Sequence, residues 1–274
     1  MLAATFLALG AAVLHAAWNL WVKQSGDRWI ALWGQMFAAG TGGLLVSLIV
    51  GIPDGFVWWP AVASGLIHLY YITALARSYD LADFSVTYPI ARGTGALLAA
   101  VGGVVFLDDH LSPLMVVGIL VAIGGIMLLA GHADNAHARA AVIVGAFIAS
   151  YSLVDSHGSR ANDGHVYALL IFTTTACFTT LHGLMAGRRA DMTAALRLQW
   201  RQFCLAGAAS ALTYWMVMIA VRSAPVGYVT ALRESSVVIV ALVGTRYLGE
   251  EGMRRRVTAA TVVVLGLVVL VMGR

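Results

Sequence analysis

Four charged residues lie in stretches of the chain that are otherwise apolar, and their side chains are the first candidates for chemistry: Arg92, Asp155, Arg233 and Glu234. An arginine at the centre of a membrane-spanning helix costs about 2.5 to 3.5 kcal/mol on insertion scales, so it normally faces a cavity or a partner of opposite charge. Guanidinium and carboxylate groups recognise charged ligands through charge-assisted hydrogen bonds. The four residues therefore predict a binding site for a small charged or zwitterionic molecule.

Aromatic and polar side chains accompany these charges at helical spacing. His15, Trp18 and Asn19 share one face of a predicted helix, and Tyr151 shares a face with Asp155. Two such faces predict opposite walls of one cavity. The alternative for His15 is a hydrogen bond to a neighbouring carbonyl group, and the alternative for the aromatic residues is core packing. Further candidates for the cavity wall are Tyr71, Tyr88, Tyr214 and Trp215.

No sequence motif indicates catalysis or a bound cofactor. The HExxH, GxSxG, Walker A and GxGxxG patterns are absent. The run Asp108 to His110 has metal-binding residue types, but Glu250 to Gly252 lacks the histidine, so we interpret both runs as acidic turns that end helices. Cys177 and Cys204 have no CxxC spacing and are interpreted as packing residues. We expect no enzymatic activity and no metal or other cofactor.

The composition places these residues in a membrane. The 274 residues are 60% hydrophobic and 11% charged, with a mean hydropathy of +0.85, whereas an average soluble domain is roughly 25% charged. A water-soluble fold is therefore excluded. The net charge of +4 fits basic cytoplasmic loops better than a nucleic-acid partner. We predict a multi-pass protein of a bacterial inner membrane, with the lipid bilayer as its surroundings.

Charged residues and glycine- or proline-marked turns divide the chain into ten apolar segments. About 20 residues are needed to span a bilayer as a helix, so the sequence predicts an all-α polytopic protein with one sizeable loop at 188–201. The predicted spans are 2–23, 30–51, 57–79, 82–106, 112–131, 138–156, 165–186, 202–222, 225–247 and 256–273.

The second half of the chain repeats the first at an offset of 142 positions. Residues 1–131 and 132–274 are therefore predicted to form two five-helix repeats within one membrane unit. Because five is odd, the second repeat crosses the membrane in the opposite sense, and such inverted repeats are typical of secondary transporters with a substrate site near the midplane. The matching pairs are Gly102 and Gly244, Asp108 and Glu250, Asp109 and Glu251, Gly124 and Gly266, and Gly131 and Gly273.

The same offset relates Arg92 to Glu234. Repeat-related residues near a two-fold axis approach each other, so we predict a contact between these two side chains across the interface of the halves. Two roles stay open for the pair. It can be a permanent ion pair that fixes the register of the halves, or it can contact the substrate directly.

Basic residues are divided unevenly between the two sides of the predicted membrane. With the termini outside, the cytoplasmic loops carry twelve Lys and Arg residues and the opposite side carries three. The positive-inside rule therefore predicts periplasmic or extracellular termini. No Lys or Arg precedes Lys23, so we expect the first segment to be a retained helix and not a cleaved signal.

The ten segments, the repeat, the acidic turns and the stretch HAAWNLWVKQSGDR at 15–28 together resemble the drug/metabolite transporter superfamily, specifically its EamA-like branch. The resemblance covers essentially the whole chain, with Asp108 and Asp109 where Glu is usual. It implies an alternating-access carrier whose cavity is lined by the first, third, fourth, sixth, eighth and ninth helices. Family members move amino acids, metabolites, nucleotide sugars or toxic cations, many of them by export.

These features predict a secondary transporter, working as an exporter, of amino acids or related zwitterions and organic anions. Two buried arginines opposite Glu234 and Asp155 suit such substrates better than a lipophilic cation. An exporter of quaternary cations from the same superfamily is the alternative. A channel or an intramembrane enzyme is disfavoured because the chain lacks a repeated ring of filter residues and a catalytic motif. Protons as the coupling ion, and a monomer against a homodimer, stay open.

Overall fold

Ten α-helices make up the part of the chain that the structure, a computed structural model, describes: residues 1–81, 84–130, 135–239 and 253–274. A short helical stretch at 235–239 follows the ninth helix. The helices are α1 (Leu2–Gln24), α2 (Arg28–Val50), α3 (Trp59–Leu81), α4 (Phe84–Phe106), α5 (Pro113–Ala130), α6 (Asn135–Ala161), α7 (Gly164–Met185), α8 (Arg189–Ala220), α9 (Val226–Arg233) and α10 (Met253–Met272).

The surface of the bundle is that of a membrane protein. Within the described residues, six helices are long and apolar enough to cross a membrane, namely α2, α3, α4, α6, α7 and α8, and the apolar parts of α1, α5 and α10 are shorter. Large side chains such as Leu48, Ile49 and Phe106 are exposed on the outside of the bundle. A continuous apolar exterior is stable in lipid and not in water. The chain is therefore a multi-pass membrane protein.

The loop predicted at 188–201 is replaced by helix. Helix α7 ends at Met185, and α8 begins at Arg189 and continues without interruption to Ala220. The stretch 189–201 contains no glycine or proline and is rich in strong helix formers. The charged residues of this stretch lie where α8 leaves the apolar layer of the membrane, and they do not end the helix. With 32 residues, α8 is roughly 48 Å long and extends beyond a hydrocarbon layer of about 30 Å.

The ninth predicted span is interrupted at Glu234. Helix α9 has only eight residues and ends at Arg233, and the Glu234 N–H group donates to the carbonyl oxygen of Ala231 at 3.1 Å, three residues back instead of four. Successive helical residues point about 100° apart. Arg233 and Glu234 therefore reach different neighbours although they are adjacent. The predicted remainder of this span, 240–247, lies outside the described residues, as do the turn at 250–252 and Gly131.

Glycines allow close helix contacts at two places in the bundle. A Cβ atom on Gly65 of α3 would lie 2.8 Å from the backbone carbon of Thr174 on α7, and one on Gly207 of α8 would lie 2.9 Å from the backbone nitrogen of Ala39 on α2. Only glycine fits at both positions, because a contact this short leaves no room for a side chain. Gly65 and Gly207 are 142 positions apart, which is the offset at which the two halves of the sequence match.

The two termini lie at the same end of the bundle, where the Arg274 guanidinium donates to the Thr5 hydroxyl at 3.4 Å. At this end Arg160, the last basic residue of α6, forms an ion pair with Asp109 at 2.8 Å. The second carboxylate oxygen of Asp109 accepts a hydrogen bond of 2.6 Å from the N–H group of Val226, the first residue of α9. The turn after α4 thus caps α9, a role that its acidic composition alone did not reveal.

Candidate functional site

An internal cavity of about 50 Å³ lies where α1, α2, α3, α6, α7, α8 and α9 meet. Because a water molecule needs roughly 10 to 15 Å³ of such space, the cavity has room for about four waters or a molecule with a few non-hydrogen atoms. His15 and Trp18 of α1 and Tyr151 of α6 all belong to its wall. The prediction that these two helix faces meet at one cavity is confirmed for His15, Trp18 and Tyr151, whereas Asp155 does not belong to the wall.

The helices around the cavity differ from the expected set. Met36 of α2 and Thr175 of α7 belong to the wall, whereas no residue of α4 does within the described chain. Helix α4 instead packs against α6 and α9 beside the cavity. Sequence reasoning missed α2 and α7 because their wall residues carry neither a charge nor a repeat signal.

Aromatic rings form most of the wall. The ring of His68 stacks on Tyr151 with centroids 4.2 Å apart, and Tyr71 meets Tyr151 edge-on at 5.4 Å. Tyr214 lies 6.0 Å from the Phe172 ring on the other side. Aromatic pairs at these distances contribute stabilising free energy in addition to that from the apolar area they bury. The wall is therefore a pre-formed surface on which an organic group can pack.

Arg233 brings a positive charge to this wall, and no carboxylate of the described residues pairs with it. Its side chain is 4% exposed, and its guanidinium carbon lies 5.9 Å from the centre of the Tyr214 ring. Within the described residues Arg233 forms no ion pair, and its Nε atom has no hydrogen-bond partner. A buried charged group with an unsatisfied donor is costly, and a ligand or water can supply the missing acceptor.

Two more wall residues carry buried polar atoms without partners in the described chain, the Nε1 atom of Trp18 and the Oγ1 atom of Thr175. The indole of Trp33 provides a contrast, because its Nε1–H group donates to the Thr180 hydroxyl at 3.0 Å. An indole N–H and a guanidinium N–H can only donate, and a hydroxyl can donate as well. The wall therefore offers donors to a ligand that brings acceptor oxygens.

Arg92 and Glu234 form a bidentate ion pair next to the cavity, which confirms the predicted contact. The Arg92 Nε and Nη2 atoms donate to the two carboxylate oxygens of Glu234 at 3.0 and 2.7 Å, and both side chains are buried. Parallel hydrogen bonds of this kind are the strong form of arginine–carboxylate pairing. Neither residue belongs to the wall of this cavity. Their charges are used to join α4 to the end of α9.

Asp155 lies one layer behind the cavity wall. It is fully buried on α6, where one carboxylate oxygen accepts a hydrogen bond of 3.1 Å from the Tyr167 hydroxyl. The Tyr214 hydroxyl donates to the other oxygen, while the ring of Tyr214 belongs to the wall. Asp155 therefore contacts the cavity through Tyr214 and does not face it directly.

The remaining predicted site residues lie elsewhere. Tyr88 is buried in a small cluster with Val237 and Ala259, off this wall. The indole of Trp215 donates to the exposed His165 ring at 2.9 Å, which corrects the expectation that it shares the wall with Tyr214, because neighbours on a helix point about 100° apart. The side chain of Asn19 lies outside the described residues.

Comparisons with known proteins agree with the fold and identify no family. No protein-family model and no curated protein matches the chain. A solved structure, described only as the crystal structure of a protein, matches with a TM-score of 0.78 over 99% of this chain and 98% of that one, at 16% sequence identity. At this identity the match shows a shared fold alone.

Proposed function

We propose that the protein is a secondary transporter of small organic anions and zwitterions, amino acids among them, and that the aromatic cavity is its substrate site. The observation that carries the proposal is the buried guanidinium of Arg233 on the cavity wall, which forms no ion pair with any described residue and whose Nε atom has no hydrogen-bond partner among them. A carboxylate would bring acceptor oxygens to Arg233, Trp18 and Thr175 together, and the aromatic rings would pack against the rest of the molecule.

Alternating access is supported by pairs of contacts at the offset of 142 positions. Arg92 and Glu234 join the halves, and Gly65 and Gly207 make corresponding helix contacts within the bundle. Helix pairs that an inverted repeat would relate, α3 with α6 and α8 with α1, are both packed against each other. We propose an inverted-repeat carrier of the drug/metabolite transporter type that works as an exporter, with termini on the periplasmic side.

An exporter of quaternary cations is the second candidate, because aromatic rings also bind cations through their faces. Arg233 opposes this function, since its charge repels a cation within the same small space. No carboxylate belongs to the wall among the described residues, so nothing there offsets that repulsion. The charge of the preferred substrate therefore separates the two candidates.

The test is a thermal-stability and binding screen of the purified protein with four small molecules of similar size and different charge: methanesulfonate, propionate, L-alanine and tetramethylammonium. The stabilising compounds are then followed in proteoliposomes by counterflow, in which an internal unlabelled pool drives uptake of the labelled compound. Methanesulfonate and L-alanine suit this step because they stay ionised and cross a bilayer slowly unaided.

We expect methanesulfonate, propionate or L-alanine to bind and tetramethylammonium not to bind. The variant Arg233→Gln should weaken binding about thirtyfold or more, because truncating one member of a buried charge pair costs about 2 to 5 kcal/mol. Selective binding of tetramethylammonium would favour the second candidate. Flux through proteoliposomes that shows neither saturation nor counterflow would indicate a channel, and conversion of a bound compound would indicate an enzyme.

A further inference from the structure

Asp155 and Glu234 are both buried carboxylates, and their surroundings are opposite. Glu234 receives two hydrogen bonds from a cation, whereas Asp155 receives them from the neutral hydroxyls of Tyr167 and Tyr214. No basic side chain forms an ion pair with Asp155 in the described residues. A buried carboxylate without a counter-ion in contact can be neutralised by a proton when its surroundings become more negative.

None of the described groups that contact Asp155 carries a positive charge that would compensate its negative charge. Helix α7 contributes Tyr167 and α8 contributes Tyr214. On α6 itself Tyr151 is neutral and Arg160 is bound to Asp109 at the terminal end. Farther from Asp155, His68 and Tyr71 of α3 belong to the cavity wall, the charge of Arg92 on α4 is used by Glu234, and the Arg233 guanidinium of α9 lies 5.9 Å from the centre of the Tyr214 ring.

Among the described residues, the buried charges around the cavity sum to zero when all of them are ionised. Arg92 and Glu234 cancel each other in direct contact, whereas the charges of Arg233 and Asp155 offset each other only in the sum, because the two side chains contact different parts of Tyr214. An anionic substrate beside Arg233 adds one negative charge to this poorly solvated region. Like charges in such surroundings favour protonation of one of them. Uptake of one proton restores neutrality.

We infer that Asp155 is a proton-binding site coupled to the cavity through Tyr214, and that it takes up one proton for each anionic substrate bound. This inference rests on the proposed function of the cavity. The proton adds to a carboxylate oxygen of Asp155 as an O–H bond and is released as that bond breaks after the substrate departs. One anion and one proton cross the membrane together, so the cycle moves no net charge. A zwitterionic substrate needs no proton.

Two chains of polar groups connect Asp155 to the cavity. The first is the Tyr214 hydroxyl itself. The second passes through Ser64 of α3, whose hydroxyl lies close to the Asp155 carboxylate and 3.1 Å from the Nδ1 atom of His68 on the cavity wall. Nδ1 also lies 2.9 Å from the Ser64 carbonyl oxygen. Because that oxygen can only accept, Nδ1 carries the hydrogen and Nε2 is the acceptor nitrogen of the neutral ring.

The experiment measures proton uptake on ligand binding in weakly buffered detergent solution with a pH-indicating dye. Sodium methanesulfonate is the probe, because it stays ionised and any proton that disappears from solution has bound to the protein. For the wild type we expect up to one proton per bound anion, and none with L-alanine. The variant Asp155→Asn should bind methanesulfonate without proton uptake. The matched control Asp109→Asn, a buried carboxylate already neutralised by Arg160, should retain the uptake.

A second measurement needs no substrate. Infrared difference spectra between acidic and alkaline samples of the wild type should contain the carbonyl band of a buried carboxylic acid, absent in Asp155→Asn and shifted in Asp155→Glu if the asparagine variant fails to fold. Proton uptake that persists in Asp155→Asn, or an infrared band unaffected by both variants, would overturn the proton site and leave the transporter proposal intact. A wild type that binds none of the four compounds would instead contradict the proposed function, and the infrared band would still decide the proton site.

Discussion

The two arginines buried at the centre of the bundle share a residue type and an exposure of 4%, and they differ in what they touch. Arg92 has a carboxylate that accepts two of its hydrogen bonds, whereas Arg233 has an aromatic ring and a cavity. A satisfied buried pair contributes to the arrangement of the helices, and an unsatisfied buried charge needs a ligand, an ion or water to complete its hydrogen bonds. The comparison shows that the role of a charged residue inside a membrane protein depends on the groups it contacts and not on how deeply it is buried.

The largest expected effect comes from breaking the satisfied pair. Glu234→Gln or Arg92→Met should lower the free energy of unfolding by about 3 to 5 kcal/mol, because each leaves an uncompensated buried charge or donor. Unfolding in detergent, followed by intrinsic fluorescence, measures this loss. The double variant Arg92→Glu with Glu234→Arg should regain much of it. If the single variants were as stable as the wild type, the pair would not be structural.

The next effect is on binding and comes from the unpaired arginine. Arg233→Gln should weaken methanesulfonate binding by about 2 to 5 kcal/mol and leave the free energy of unfolding unchanged or raised, because it removes a costly buried charge. Titration calorimetry and unfolding experiments on the same preparation give both quantities. A variant that unfolds easily but binds normally would reverse the roles assigned to the two arginines.

A smaller effect is expected from the two buried indoles. Trp18→Phe should weaken binding of the anion about tenfold without loss of stability, because a hydrogen bond to a charged group contributes about 1.5 kcal/mol or more and the Trp18 N–H group has no partner to lose among the described residues. Trp33→Phe is the matched control, since it removes the bond to Thr180 and should affect stability and not binding. Equal binding losses in both variants would mean that the Trp18 N–H group does not contact the ligand.

The smallest effect is expected from two threonines on consecutive turns of α7. Thr175→Val should weaken anion binding by about 0.5 to 1.5 kcal/mol, because the Thr175 hydroxyl has no hydrogen-bond partner in the described chain and we expect it to bond the ligand. Thr179→Val is the control, since the Thr179 hydroxyl donates to the Thr175 carbonyl within the helix. Competition binding with labelled methanesulfonate resolves such a difference. Identical affinities for the two variants would place Thr175 outside the ligand shell.

Much of this comparison was predictable. Arg92 and Glu234 could be paired from the sequence because the offset of 142 positions recurs in glycines and acidic turns and because opposite charges in an apolar layer must meet. The wall residues Met36 and Phe172 could not be found in this way, since an apolar residue looks the same in a core, in a cavity wall and facing lipid. The start of α8 is not predictable from charge alone, because the charged residues at 189–201 lie where the helix leaves the membrane and do not end it.

The amino-acid sequence by itself determined that this is a membrane protein, where most helices run, and which few charges need an explanation, because hydropathy and the cost of burying charge are local properties of the chain. Only the tertiary structure decided how those charges are used. Arg233 and Glu234 are neighbours in sequence, and the helix rotation of about 100° per residue, the interruption after Arg233 and the packing of α4 against α9 direct one to the cavity and the other to Arg92. Which of the two buried arginines is neutralised by a carboxylate depends on that packing, and no local sequence pattern predicts it.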